Sequence, residues 1–367
     1  SEAPSTSQRY YNKAMSFTAP ADGIYYLRFT STYQNGVDNF YGFKLVVKDH
    51  DVAISSVNVP STFNQYVEKD VTITLKELAG KDETVTVSLV EGENVLAETE
   101  IALAAGEETT VTLPVSFDET GEKTVSFQMQ IADGPAFSSD DLTLTVEAAP
   151  TLDETVGTLD GFENFGRYDA VVLKYNMKAG WNTLVLPFAV SDLTIFGENA
   201  KAYAFTGYAN GELNFAPVTE LNAQQPYLIQ TDEAQTEFLF RDVTNFRTST
   251  DAADLNISKD GVLFQGTYAP MEAGTMAGKY GVVPAGDFKK GSAKATMKGF
   301  RAYFELPTDA GAVSVNIVED GTVTRISGVE LNELVNGDVY DLSGRKMNAT
   351  TLKPGIYVKN GKKVIVK

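Results

Sequence analysis

The sequence predicts an all-β protein: tandem β-sandwiches followed by a small C-terminal β module. Three observations carry this. Apolar and polar residues alternate at period two, as in Val85, Val87 and Leu89 around Thr86 and Ser88, or Val313, Val315 and Ile317 around Ser314 and Asn316. That is the pattern of a strand with one buried face. Asp-Gly and Asn-Gly pairs, among them Asp22-Gly23, Asp133-Gly134, Asn210-Gly211, Asp260-Gly261 and Asn360-Gly361, fall between such runs. Both members of the pair tolerate φ > 0 and favour tight hairpins. No segment holds an apolar i, i+3, i+4, i+7 stripe sustained over three helical turns.

Four segments follow in order. Residues 1–48 carry about three strands, centred on Phe17, Ile24-Tyr25-Tyr26-Leu27 and Phe40 to Val47. A piece this short without disulfides rarely makes its own core. It is expected to complete a larger jelly-roll-like domain upstream or to pack on its neighbour. Lys48-Asp49-His50-Asp51 reads as a polar joint, with His50 solvated. Residues 49–149 hold about seven short strands with turn signals every ~8–15 residues, the spacing of an immunoglobulin-like sandwich. Residues 150–325 form a second β-sandwich module, richer in aromatics, with the single tryptophan, Trp181. Beside Leu184 and Leu186, Trp181 reads as core. Residues 326–367 form two hairpins. Val339-Tyr340-Asp341-Leu342 turns at Ser343-Gly344, and Pro354-Gly355-Ile356-Tyr357-Val358 turns at Asn360-Gly361 into Lys362 to Lys367.

Composition narrows the function. In 367 residues, 30 Lys and Arg stand against 49 Asp and Glu, a net charge of −19. Nucleic acid and anionic membrane surfaces both require a positive field, so neither is expected as a partner. The absence of cysteine removes disulfides, thiolate chemistry and Cys-ligated metals. The longest smooth apolar stretch, Thr183 to Val190, is far short of the ~20 residues of a spanning helix, so no membrane insertion is expected. The opening residues lack the basic and apolar regions of a signal peptide. Charge reverses at the end: Gly344 to Lys367 carries seven basic side chains and no acidic one. Such lysines also serve as the ordinary guard of an edge strand against aggregation.

The runs VYDLSGRKM and LKPGIYVKNGKKVIVK resemble the C-terminal sorting domain of type IX-secreted proteins of the Bacteroidetes. Pro354, Gly355, Tyr357, Gly361, Lys363 and Lys367 occupy the positions of that motif. Asp51 to Leu75 resembles bacterial adhesion-type immunoglobulin-like domains, although Glu77-Leu78-Ala79-Gly80 keeps the Gly of an N-x-G corner without its Asn. Gly180-Trp181-Asn182-Thr183-Leu184-Val185-Leu186-Pro187-Phe188 looks like the opening of a β module from large surface proteins of the same phylum. Gln225 to Ile229 and Gly299 to Phe304 look like its later strands. The first segment resembles the end of a jelly-roll adhesin-like domain. These resemblances imply a secreted or cell-surface location, cell adhesion or spacer roles, and an export or anchoring machinery as partner.

The chain is expected to be non-catalytic. His50, the only histidine, would have to serve any Ser-His-Asp relay or His-based metal cluster. Gly274 to Tyr280 misses the phosphate-loop spacing and lacks its Ser or Thr. A glycosidase pair needs two carboxyls ~5–9.5 Å apart, a distance no spacing in the sequence defines. No cofactor is expected. Structural calcium would draw on Asp49 with Asp51, Asp140 with Asp141, or Asp251 with Asp254 and Asp260. The last set departs from an EF-hand at Lys259 and Gln265. Paired aromatics such as Tyr10-Tyr11 and Tyr25-Tyr26 put one ring outward, as a sugar platform or as cross-strand packing. The alternative to a passive surface module is an accessory or carbohydrate-binding module of an upstream secreted enzyme such as a peptidase.

Overall fold

The computed structural model describes residues 49–286, 288–307, 313–319, 322–326, 339–347, 355–359 and 362–366. The expected strands of residues 1–48 lie outside these, as do Pro354, Gly361 and Lys367. Among the described residues every regular element is a strand apart from one 3-10 helix, so the chain is all-β. It divides into two units, Ser1–Ala148 and Ala149–Lys367.

The first unit contains β1 (Val52–Asn58), β2 (Thr62–Asn64), β3 (Lys69–Glu77), β4 (Glu83–Glu91), β5 (Asn94–Leu103), β6 (Glu108–Val115), β7 (Gly121–Ile131), β8 (Ala136–Ser138) and β9 (Leu142–Glu147). One sheet has the order β1-β3-β6; the other runs β2-β9-β7-β4-β5, with β8 added to β7. Val71, Ile73 and Leu75 of β3 meet Val85, Val87 and Leu89 of β4 and Val125, Phe127 and Met129 of β7 in one core. Each inward side chain contributes about 1.5–3 kcal/mol of transfer free energy. A one-residue slip would turn the whole set to solvent, so the alternation locks the register.

The second unit contains β10 (Thr151–Asp153), β11 (Gly166–Met177), β12 (Gly180–Val185), the 3-10 helix Leu193–Phe196, β13 (Lys201–Ala209), β14 (Glu212–Val218), β15 (Pro226–Thr231), β16 (Gln235–Phe246), β17 (Asn256–Lys259), β18 (Val262–Thr267), β19 (Tyr280–Val282), β20 (Phe288–Lys290), β21 (Arg301–Glu305), β22 (Ser314–Glu319) and β23 (Thr322–Ile326). The chain ends in β24 (Val339–Asp341), β25 (Lys346–Met347), β26 (Gly355–Lys359) and β27 (Lys362–Val366). A six-stranded sheet, β12-β15-β13-β14-β22-β23, is flanked by β10-β11-β16 and by β17-β18-β21-β19-β20. Leu184, Leu186 and Ile229 pack with Val171, Leu173, Phe238 and Phe240. Tyr203, Phe205 and Phe215 pack with Phe264, Phe304 and Val315 in a separate core. Three sheets are therefore stacked where the sequence suggested the two of a single sandwich. The physical reason is that the middle sheet is covered on both faces: β12 and β15 are near-continuous apolar runs, while β14 still alternates, with Leu213 and Phe215 buried.

Candidate functional site

The terminal strands form a sheet of their own, in the order β25-β24-β26-β27. Among the described strands these four pair only with one another. The turn from β24 to β25 is built by Asp341. Its carboxylate accepts from the Ser343 N–H (3.0 Å), the Ser343 hydroxyl (2.6 Å) and the Arg345 N–H (2.9 Å). Those bonds, the Ser343 hydroxyl's first, hold its pKa below the usual carboxylate range. Gly344 takes φ +84°, which a side chain would strain. Of the motif residues, Tyr357 is buried at the middle of β26 between Asp341 and Val364. Gly355 opens β26 opposite Val366, and Lys363 lies opposite Val358.

A second candidate lies in the body of the second unit, on the Gly180-Trp181-Asn182 motif. Gly180 adopts φ +95°, and a Cβ there would meet the Pro284 carbonyl oxygen at 2.1 Å. Only glycine lets the 283–285 backbone come that close, and the Trp181 N–H donates to that carbonyl at 2.9 Å. The Asn182 side chain locks the preceding turn, accepting from the Lys178 N–H (3.0 Å) and donating to the Lys178 carbonyl (2.8 Å). The Thr183 hydroxyl accepts from the Ala302 N–H (3.0 Å), and the Thr183 carbonyl accepts from the Tyr175 hydroxyl (2.6 Å). Burial first, opposed by Arg301, pushes the Tyr175 phenol up to about 12.

Trp181, expected as core, packs against the core of Phe205, Phe264 and Phe304 from its margin. It is half-buried, its ring 5.5 Å from that of Tyr203, and it walls a groove of about 340 Å³. The motif brings Trp181 to the second position of β12, opposite Gln230. Thr183, Arg301, Lys289 and Lys290 line the same groove. Beneath it runs a buried ion network. Glu154 accepts from Lys298 (2.6 Å) and Arg301 (2.7 Å), and Arg301 also donates to the Asn176 carbonyl and covers the Tyr175 ring. Burial opposes the Glu154 charge. The hydrogen bonds from Lys298 and Arg301 outweigh it and hold this carboxyl below the usual range.

His50 also departs from expectation. Its Nδ1 lies 3.0 Å from both carboxylate oxygens of Glu83, a side chain only 4% exposed. A buried carboxylate needs a partner, and that requirement draws the joint onto the sandwich. Glu77 is the other buried acid of this unit. It accepts the N–H groups of Ala79, Gly80 and Gly106 at 2.5, 2.8 and 2.7 Å, closing the corner where an Asn was expected. Of the acids considered for calcium, Asp254 and Asp260 take separate partners. Asp254 accepts from the Ser249 hydroxyl, whereas Asp260 accepts from the Tyr208 N–H. Among the described residues no three His, Asp or Glu side chains form a metal cage, and no helix is long and apolar enough to cross a membrane.

The fold and these sites define the class: a multi-module all-β protein with a basic terminal ribbon. No protein-family model and no curated protein matches the chain. Solved structures give short likenesses. The CARDB domain of the PF1109 protein from Pyrococcus furiosus, determined with di-metal ions, aligns over 30% of this chain and 100% of that one, with 12% identity and a TM-score of 0.24. The cupredoxin domain of amoB from Nitrosocaldus yellowstonii aligns over 27% and 84%, with 15% identity and a TM-score of 0.20. A beta-glucosidase from Listeria innocua aligns over 27% of this chain and 16% of its own, with 20% identity and a TM-score of 0.20. These likenesses assign no activity or ligand to the chain.

Proposed function

We propose that this chain is a non-catalytic part of a secreted or surface-attached bacterial protein. Its sandwiches act as spacer and adhesion modules, and its terminal ribbon is an address for export or anchoring of the type IX kind. The observation that carries the reading is the four-stranded terminal sheet, whose strands pair, among the described strands, only with one another. Its basic side chains stand out against an otherwise acidic chain, a contrast that suits recognition by an acidic surface. Tyr357, buried in the middle strand, anchors the ribbon's interior.

Deleting residues 326–367 in the native host tests this. Loss of the protein from the cell surface, with accumulation behind the outer membrane, is the expected result. Surface delivery equal to that of the intact protein would refute the export role. A paired Lys363→Glu and Lys362→Glu variant separates recognition from folding: it keeps the strand pattern and reverses the charge.

A further inference from the structure

A second cavity lies in the same unit and shares no lining residue with the Trp181 groove. It measures about 190 Å³, and its lining includes Thr250, Gln265, Tyr268, Met271 and Tyr303 but no charged side chain. Its wall is fixed by close backbone packing. Gly157 takes φ +69°, and a Cβ there would stand 2.3 Å from the Tyr268 carbonyl oxygen. A Cβ on Gly299 would stand 2.0 Å from the same oxygen. Two glycine backbones therefore clamp Tyr268 where no side chain fits. The Tyr268 carbonyl also accepts the Phe300 N–H at 3.3 Å, and the two rings lie 5.4 Å apart.

Two polar side chains of this lining are buried: Tyr268 is 2% exposed and Gln265 is 5% exposed. The Tyr268 hydroxyl has no hydrogen-bond partner. A buried hydroxyl without one is costly, and native structures seldom leave it so. Burial pushes its pKa up, so it stays a neutral donor. Gln265 is its complement. The Gln265 Nε2 donates to the carbonyls of Ala252 (3.0 Å), Leu255 (3.4 Å) and Gly266 (2.8 Å). That commits the amide nitrogen and leaves Oε1 as the acceptor of this side chain. The lining thus offers one buried donor and one buried acceptor beside the apolar Leu255 and Met271 and the Tyr303 ring. With no charge in the wall, an ionised ligand would lose its hydration for nothing in return. A purely apolar ligand would leave both polar groups unanswered.

We infer that this cavity takes a small neutral ligand through a carboxamide or hydroxyl group, which accepts from the Tyr268 phenol and donates to the Gln265 Oε1. Either group carries a donor and an acceptor together, and that is the chemistry the two side chains select. An apolar cavity of about 150 Å³ accommodates benzene, so the volume here fits a guest of that order or the end of a larger one. Water, itself a neutral donor and acceptor, fills the place in the free protein. The inference is independent of the terminal ribbon.

The test titrates the intact chain to about 100 mM, or to the solubility limit, with four probes. N-methylacetamide and propane-1,2-diol carry the two groups; propionate and benzene are the charged and the apolar control. Binding is followed at the backbone amide resonances of Gly157, Gly266 and Ala269, all on the lining. The expected result is a saturable shift with the amide or the diol, at least about tenfold tighter than with either control. The tighter of the two identifies the group. In Tyr268→Phe those shifts are expected to disappear and Tm to fall by about 2–4 °C, because the phenol has lost a made hydrogen bond. Four results would overturn the inference: no saturable shift from either polar probe, a control that binds as tightly as both, shifts that persist in Tyr268→Phe, or a Tyr268→Phe variant that melts no lower than wild type.

Discussion

Replacing Glu154 by Gln removes a buried negative charge under the groove with little change in side-chain size. Glu154 is 3% exposed and answers two cations at 2.6 and 2.7 Å. The cations are unequal. Lys298 is half-exposed, so water takes over its solvation and its pairing is worth about 0–1 kcal/mol. Arg301 is 19% exposed and is left with the Asn176 carbonyl and the Tyr175 ring. Breaking one side of a buried pair costs about 3–5 kcal/mol, and the carbonyl that remains puts Glu154→Gln at the lower end, about 3 kcal/mol. For a unit the size of Ala149–Lys367 that is a fall of about 6–12 °C in Tm. The pH dependence has a definite sign. The fold depresses this carboxyl's pKa, so its contribution is complete above the ordinary glutamate value, about 4.3, and is lost as pH falls through the depressed value. The gap between wild type and Glu154→Gln therefore closes on acidification. Urea titrations followed by Trp181 emission, at neutral pH and near pH 3, measure both. A difference under about 0.5 kcal/mol at neutral pH, or one that persists unchanged in acid, would refute the reasoning.

Two further variants probe the corners. Glu77→Ala orphans three backbone N–H groups in the first unit and is expected to cost about 2–4 kcal/mol by circular dichroism in urea, with Glu77→Gln recovering part of it. Gly180→Ala forces a Cβ onto the Pro284 carbonyl at positive φ. A loss of more than about 2 kcal/mol and a red shift of Trp181 emission are expected, and wild-type values for both would show that the 283–285 segment yields easily.

Where the chain alternates, the sequence was a good guide, because one buried face is enough to specify a strand. The turn chemistry was equally plain: Asn210-Gly211 and Asp260-Gly261 both fold with positive φ, at 54° and 80° and at 52° and 76°. Two kinds of feature escaped. Strand pairings distant in sequence left no local trace, such as the parallel register of Leu213 with Val315, so the doubly covered sheet could not be anticipated from the run Thr183 to Phe188. The basic cluster of the groove escaped for a related reason. Lys289 and Lys290 approach the Trp181 segment only because β20 folds back on β19, pairing Gly281 with Lys289 and Tyr280 with Lys290.

The buried acids are different, since their positions were legible all along. Glu77 continues the inward series Val71, Ile73, Leu75, and Glu83 begins the series Val85, Val87, Leu89. Glu154 stands two residues after the buried Leu152. Glu77 and Glu83 occupy the core parity of their strands and Glu154 keeps that of β10 one residue past its end, where a carboxylate without a partner would cost several kcal/mol. An acid in phase with a strand's apolar face thus implies a partner outside that strand, and each has one: the 79–106 corner, His50, and the Lys298–Arg301 pair. Applied to the groove, the same argument explains why its floor arginine is neutralised. Glu154, one residue beyond β10, is answered by Lys298 and Arg301, both from a segment distant in sequence.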